Sequence, residues 1–138
     1  MLSIEQITPH LTWQLRRDIL YPNEYKFNME MPEDEHGYHF GAFTDNKLVG
    51  VVSLFKDTND WQFRKLAVDA AYQGKSIGTQ LLDYLTGFVK KENGERLWCN
   101  ARASAVGFYV KLGFAQTNTT FHKKKGIDYV IMEKYLTD

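Results

Sequence analysis

A single cysteine, Cys99, stands among 138 residues, so no internal disulfide can form. A reducing cytoplasm is the simplest home for such a chain. Proline is rare, with Pro9, Pro22 and Pro32 the three instances. Charge of either sign is not in excess: Lys plus Arg is 17 and Asp plus Glu is 17. A zero balance argues against a nucleic-acid binder that works through a broad basic field, though it allows a local basic pocket. No apolar run approaches the length of a membrane span, so no membrane partner is expected. The start, MLSIEQITPHLTWQ, lacks the basic and apolar regions of a signal peptide. His10, His36, His39 and His122 have no metal-ligand spacing, so no metal is expected. Repeats, low-complexity segments and linkers are absent as well.

What is present is a folding composition, 43% hydrophobic and 14% aromatic. Its length suits one domain over 1–138 with a real core. Leu2 to Thr8 alternates weakly and predicts a short edge strand, ended by Pro9. Leu11, Leu15 and Ile19 at helical spacing predict a helix over Leu11 to Leu20, with Arg16 and Arg17 on its other faces. Tyr21-Pro22-Asn23 stops it. Asn23 to Gly37 is a polar connection with an acidic cluster, Glu33, Asp34 and Glu35. Tyr38 to Phe43 and Lys47 to Phe55 read as a hairpin around Thr44-Asp45-Asn46, and Trp61 to Val68 as a third strand.

The chain is organised around the stretch that follows, Val68 to Leu82, VDAAYQGKSIGTQLL. A small-residue loop lies between a strand end and a helix whose Ile77, Leu81, Leu82, Leu85, Phe88 and Val89 share one face. The first N–H groups of a helix lack partners and its N-terminus is partially positive, while glycine lets a ligand come close to the backbone. Such a place suits a phosphate or pyrophosphate. A P-loop needs a glycine five residues before Gly74, where Asp69 stands; a dinucleotide fingerprint needs three spaced glycines, and only Gly74 and Gly78 are there. After the helix, Lys90 to Gly94 predicts a stop with Gly94 as the residue beyond the cap. A short strand follows, Arg96 to Ala101, which the crossover predicts to be parallel to Trp61–Val68. A second helix is expected over Ala103 to Leu112 with Gly113 beyond its cap and Phe114 folding back. Further strands are expected at Phe114–Phe121 and Ile127–Leu136, with a basic turn at His122–Gly126.

Gln73-Gly74-Lys75-Ser76-Ile77-Gly78 resembles the acyl-CoA pyrophosphate loop, Arg/Gln-x-x-Gly-x-Gly/Ala, of the GCN5-related N-acetyltransferase (GNAT) family. Ser76 departs from it, since the family usually has glycine there; serine fits at negative φ and is awkward at positive φ. Ala101 to Phe114 resembles the family's later signature, Ala-x-x-Phe-Tyr-x-Lys-x-Gly-Phe, in the right order. The resemblance covers roughly residues 38 to 136.

It implies a mixed α/β fold, a central sheet with splayed parallel strands flanked by helices. It implies an acetyl-CoA-dependent N-acyltransferase that moves an acetyl group directly to a primary amine of a small molecule or peptide. Pyrophosphate would lie on Gln73, Gly74, Lys75, Ser76, Ile77, Gly78 and Thr79, mostly through backbone N–H groups. Backbone of Leu66, Ala67 and Val68 would pair with the pantetheine arm like an added strand, and Asn100 could hydrogen-bond the same arm or cap a turn. Tyr109 would be the general acid for the leaving thiolate; otherwise it packs on the core beside Phe108. Cys99 reads as a small core residue and not a nucleophile. Glu30, Glu33, His39 and Asp60 are open as the general base, and so is a chain of water. A homodimer is left open. The alternative function is a non-catalytic acyl-CoA-binding module, which would not need Tyr109. A nucleotide-binding regulatory domain would need a phosphate loop of different spacing.

Overall fold

A computed structural model describes residues 1–117, 122–124 and 126–136. Two compact units divide the chain: Met1–Phe55 with Phe63–Phe88, and Lys56–Gln62 with Val89–Asp138. Both antiparallel and parallel strand pairs occur, with helices between strands, so the fold is the mixed α/β type that the sequence predicts.

In the first unit the strand order is β1 (Leu2–Ile7), β2 (Tyr38–Thr44), β3 (Lys47–Asp57), then β4 (Asp60–Val68), which continues from the second unit. β1 is an edge strand, antiparallel to β2 from Leu2 opposite Thr44 to Ile7 opposite His39. β2 and β3 form a hairpin closed by Asp45 and Asn46, at φ 51 and 63. Two left-handed central residues give the turn whose twist matches its strands, and Asp and Asn tolerate that region best after glycine.

The first helix differs from its expectation. It is a 3-10 turn at Pro9–Thr12, a short α1 (Trp13–Leu15) and a π-type turn at Arg16–Leu20. Leu11 is 43% exposed whereas Arg16 is 1% exposed. The helix therefore turns Arg16 inward, because buried acceptors wait for it. The connection that follows holds two 3-10 turns, Lys26–Met29 and Pro32–His36.

Helix α2 (Ile77–Lys91) lays Ile77, Leu81, Leu82 and Leu85 into the core. A methyl group on Gly50 of β3 would come within 3.0 Å of Leu81 Cδ1 and 3.1 Å of Ile77 Cγ2. The absence of a side chain at Gly50 thus lets the first turns of α2 lie close on the sheet. Phe40 and Phe88 meet edge to face at 5.2 Å, and Tyr38 meets Phe88 at 5.1 Å.

In the second unit Asp60–Gln62 of β4 runs parallel to Arg96–Trp98 of β5 (Arg96–Arg102). β5 is antiparallel to β8 (Ile127–Tyr135), which also takes β6 (Ala115–Gln116) and β7 (His122–Lys124). His122–Lys124 is thus strand and not the turn expected from its charge; Gly126, at φ 79, provides the reversal. Residues 118–121 of the expected strand lie outside the described ones. Arg96 ties the strands together through Glu133 at 2.7 Å and Asp60 at 3.3 Å.

The end of α2 corrects another expectation. Asn93, at φ 60, takes the left-handed position, not Gly94. Gly94 donates to the Val89 carbonyl at 2.9 Å, and a Cβ there would lie 2.4 Å from Val89 and 2.6 Å from the Trp61 ring. Glycine is needed for space, and asparagine carries the turn. By contrast α3 (Val106–Lys111) ends as expected: Gly113 is at φ 92 and Phe114 N–H returns to the Tyr109 carbonyl at 3.0 Å. Among the described residues no helix is long and apolar enough to cross a membrane.

Candidate active site

The loop after β4 is held before it holds anything else. Asp69 N–H donates to the Val49 carbonyl at 2.8 Å, and the Asp69 carboxylate accepts from Ala71 N–H at 2.9 Å, starting a 3-10 turn at Ala70–Tyr72. Gln73 turns its amide nitrogen back onto the Val68 carbonyl at 2.9 Å. The Gln73 side chain therefore closes the loop on the strand that precedes it, and one carbonyl expected to face a ligand already has a partner. Gly74 and Ser76 lie at φ 77 and 65, and Gly74 has open space where a Cβ would be. Ser76 therefore occupies the left-handed region that suits glycine. Gly74, Lys75 and Ser76 are exposed, with Lys75 Nζ 5.4 Å from the Tyr72 ring centre. Ile77 is buried, Gly78 and Thr79 are half-buried, and Ser76 carbonyl accepts the helical bond from Gln80 at 3.0 Å.

Along β4, Ala67 packs with Leu15 and Val51 in the core, while Leu66 and Val68 are half-buried. One residue earlier, Lys65 is left-handed, φ 59, inside the strand. Its ammonium donates to the Tyr21 hydroxyl and lies 4.6 Å from that ring's centre. Arg64 pairs with Glu33 at 2.5 Å. Tyr21, just before the polar connection, and Glu33 within it are thereby both fixed to β4. Nothing in the local pattern around Lys65 signals a left-handed lysine, and sequence reasoning passed over it.

A buried polar cluster was also missed. Arg16 Nη1 donates to the Asp34 carboxylate and to the Met29 carbonyl, both at 2.9 Å; Nη2 reaches Asp34 at 3.0 Å and Ser53 Oγ at 2.8 Å. His39 Nε2 donates to the Asp34 carbonyl at 2.9 Å, so its Nδ1 accepts from the Ser53 hydroxyl at 2.7 Å. Burial pushes the His39 pKa down, and nearby Arg16 pushes the same way. With both nitrogens engaged and 2% exposure, His39 is a core group and not a free base. Of the other base candidates, Glu33 is paired with Arg64, Asp60 with Arg96, and Glu30 is exposed.

In the second unit, Asn100 is exposed on β5, opposite Ile131. Tyr109 is buried, 9% exposed, with Phe108 at 5.1 Å and Phe114 at 5.9 Å. Burial pushes its phenol up, with Cys99 nearby adding to the shift. Such a hydroxyl keeps its proton at neutral pH and can act as a donor. Cys99 is buried and free, its thiol pushed up by burial to about 12, which is the state of an inert thiol and not of a nucleophile. Among the described residues no cluster of His, Cys, Asp and Glu could hold a metal ion.

The model of a family described as "Acetyltransferase (GNAT) domain" matches residues 14–136. An uncharacterized N-acetyltransferase, YitI, of Bacillus subtilis is 26% identical over 145 residues, 99% of this chain and 97% of the relative. The ribosomal-protein-S18-alanine N-acetyltransferase of Escherichia coli superposes with a TM-score of 0.82 at 19% identity, covering 100% of this chain and 96% of that one. The PaiA N-acetyltransferase of Thermoplasma acidophilum, solved in complex with coenzyme A, gives 0.74 at 20% identity, covering 99% of both.

Proposed function

Because the chain belongs to the GNAT acetyltransferase family and is an N-acetyltransferase, we propose that it transfers the acetyl group of acetyl-CoA directly to a primary amine, acting as one acetyltransferase domain over 1–138. The observation that carries this reading is the loop from Gly74 to Ser76, exposed, left-handed at two positions, and leading straight into α2. Its backbone N–H groups and those of Ile77 to Thr79 suit a pyrophosphate, and nothing crowds the approach at Gly74. Lys75 adds a point charge beside it.

Acetyl-CoA supplies an activated thioester carbonyl. Backbone of Leu66 to Val68 aligns the acyl arm, and an N–H near Val68 polarises the carbonyl oxygen. The new amine-nitrogen-to-carbon bond replaces the carbon–sulfur bond. Tyr109 delivers its hydroxyl proton to the departing sulfur, and the proton lost by the acceptor, taken up by Glu30 or water, makes good the one that Tyr109 gave. Asn100 steadies the arm. Cys99 takes no part.

One experiment tests binding and chemistry together. Gly78→Glu puts bulk and negative charge at the cradle, and calorimetric titration with CoA should show affinity falling sharply while the fold persists. Tyr109→Phe should keep CoA affinity and lower kcat roughly tenfold to a thousandfold, at or below the usual worth of general acid catalysis, as read by thiol release with an amine panel. Unchanged affinity in Gly78→Glu would move the pyrophosphate elsewhere. Wild-type CoA binding with no thiol release from any amine would leave a binding module.

A further inference from the structure

Lys65 lies inside a strand at φ 59, where a residue with a Cβ is disfavoured. Holding such a residue there costs backbone strain, and outliers of this kind cluster where ligands are handled. Its side chain is half-buried, and its described partners are the hydroxyl and the ring of Tyr21, not a carboxylate. Two neighbouring cations each pair with a carboxylate: Arg64 rests on Glu33 and Arg16 on Asp34. No carboxylate pairs with Lys65 among the described residues. An ammonium has three donors, and Tyr21 takes one. Strain, partial desolvation and a missing counter-charge therefore coincide on one side chain. It sits one residue before the backbone of Leu66 to Val68 to which the acyl arm is assigned above.

We infer that Lys65 receives a carboxylate of the acyl acceptor, so that the substrate is a small amine that also carries a carboxylate, an amino acid being the simplest case. A lone ammonium matches a single carboxylate. A phosphate dianion is better met by several cations or by an arginine fork, and Arg64, the adjacent cation, is already committed to Glu33. The Tyr21 hydroxyl and ring hold the ammonium in place before the acceptor arrives, which lowers the cost of ordering a long side chain on binding.

The inference rests on the acyl-transfer reading, and the experiment separates the two. Leucine, methionine and phenylalanine are compared with their primary amides as acceptors by thiol release, with wild type, Lys65→Met and Lys65→Arg; CoA affinity is measured on the same preparations. An amide lowers the basicity of its neighbouring amine and so leaves more of it neutral, which favours the amide unless the carboxylate is recognised. Wild type should prefer the acids in kcat/KM by roughly tenfold to a hundredfold, the worth of a hydrogen bond to a charged group. Lys65→Met should abolish that preference, Lys65→Arg should restore part of it, and CoA affinity should stay unchanged in both. Equal use of acid and amide by wild type, a preference that survives in Lys65→Met, or CoA binding without turnover of any acid would overturn the inference. Loss of CoA binding by the wild type itself would instead count against the acetyl-CoA reading.

Discussion

Two groups of buried polar residues, one in each unit, are buried to a similar degree and behave in opposite ways. Arg16, Asp34, His39 and Ser53 are at most 3% exposed, Cys99 and Tyr109 at most 9%. The first group meets its burial with hydrogen bonds. Burial alone would raise the Asp34 carboxyl, but Arg16 and the Met31 N–H outweigh it and hold the carboxyl below its ordinary value. The second group meets its burial by staying neutral: apolar surroundings push the Cys99 thiol and the Tyr109 phenol up. Desolvation is thus common to both; Asp34 keeps its charge because the Arg16 guanidinium and the Met31 N–H outweigh it, whereas His39, Cys99 and Tyr109 stay in their neutral forms. A charged cluster can fix a loop in place; a neutral one can keep a proton ready to give.

The largest effect should come from breaking the charged side. Arg16→Met leaves the Asp34 carboxylate buried without its partner, and denaturant unfolding should show a loss of about 3–5 kcal/mol. Arg16→Met combined with Asp34→Leu should recover much of that loss, since it removes the stranded charge. A loss under about 1 kcal/mol in the single variant would mean that water reaches Asp34 and that the cluster is not closed.

The pH dependence of stability sharpens the same contrast. His39 and Asp34 have folded pKa values below their ordinary 6.5 and 3.8, so the folded state binds protons less readily than the unfolded chain. Their contribution is complete above 6.5 and is lost as pH falls, first through His39 and then through Asp34. Cys99 and Tyr109 are raised from 9.0 and 10.0, so their contribution is complete below 9.0 and is lost as pH rises. Stability should form a plateau between these limits, with each limb falling by at most about 1.4 kcal/mol per pH unit for each proton involved. Chemical denaturation across pH reads both limbs. A flat acid limb would remove His39 from the argument, and a flat alkaline limb would mean that Cys99 and Tyr109 reach solvent.

The smallest effect belongs to a residue in neither cluster. Ser76 is exposed and left-handed, so Ser76→Gly should raise stability by about 1 kcal/mol through relief of strain, measured as a shift of the denaturation midpoint. Neither limb of the pH profile should move. A destabilised Ser76→Gly would show that the serine side chain contributes more than its backbone costs.

Much of the fold could be read residue by residue. The apolar stripe from Ile77 to Val89, the turn at Asp45-Asn46 and the cap at Gly113 depend on neighbours a few positions away, and local residue order signals them. Where two local signals competed, the sequence could not choose. At the end of α2, Gly94 looked like the left-handed residue, and only the Trp61 ring and Val89 show that glycine is there for room while Asn93 turns the chain. Charge misled at His122–Lys124, because strand pairing with β8 is decided by a partner strand and not by those residues.

For the candidate site the same division holds. The strand–loop–helix passage at Val68 to Thr79, with its glycines and its small serine, was determined by spacing along the chain. Its backbone angles were not: Ser76 could have been right- or left-handed, and the structure makes it left-handed. Arg16 found its acceptors 13, 18 and 37 residues away, and Lys65 met Tyr21 across 44. Sequence patterns report which face of an element is apolar; they carry no record of which distant carboxylate a buried cation will meet, or which cation will meet a tyrosine hydroxyl instead. Those outcomes were left to tertiary structure, because a charge removed from water is stabilised only by the particular groups that packing brings to it.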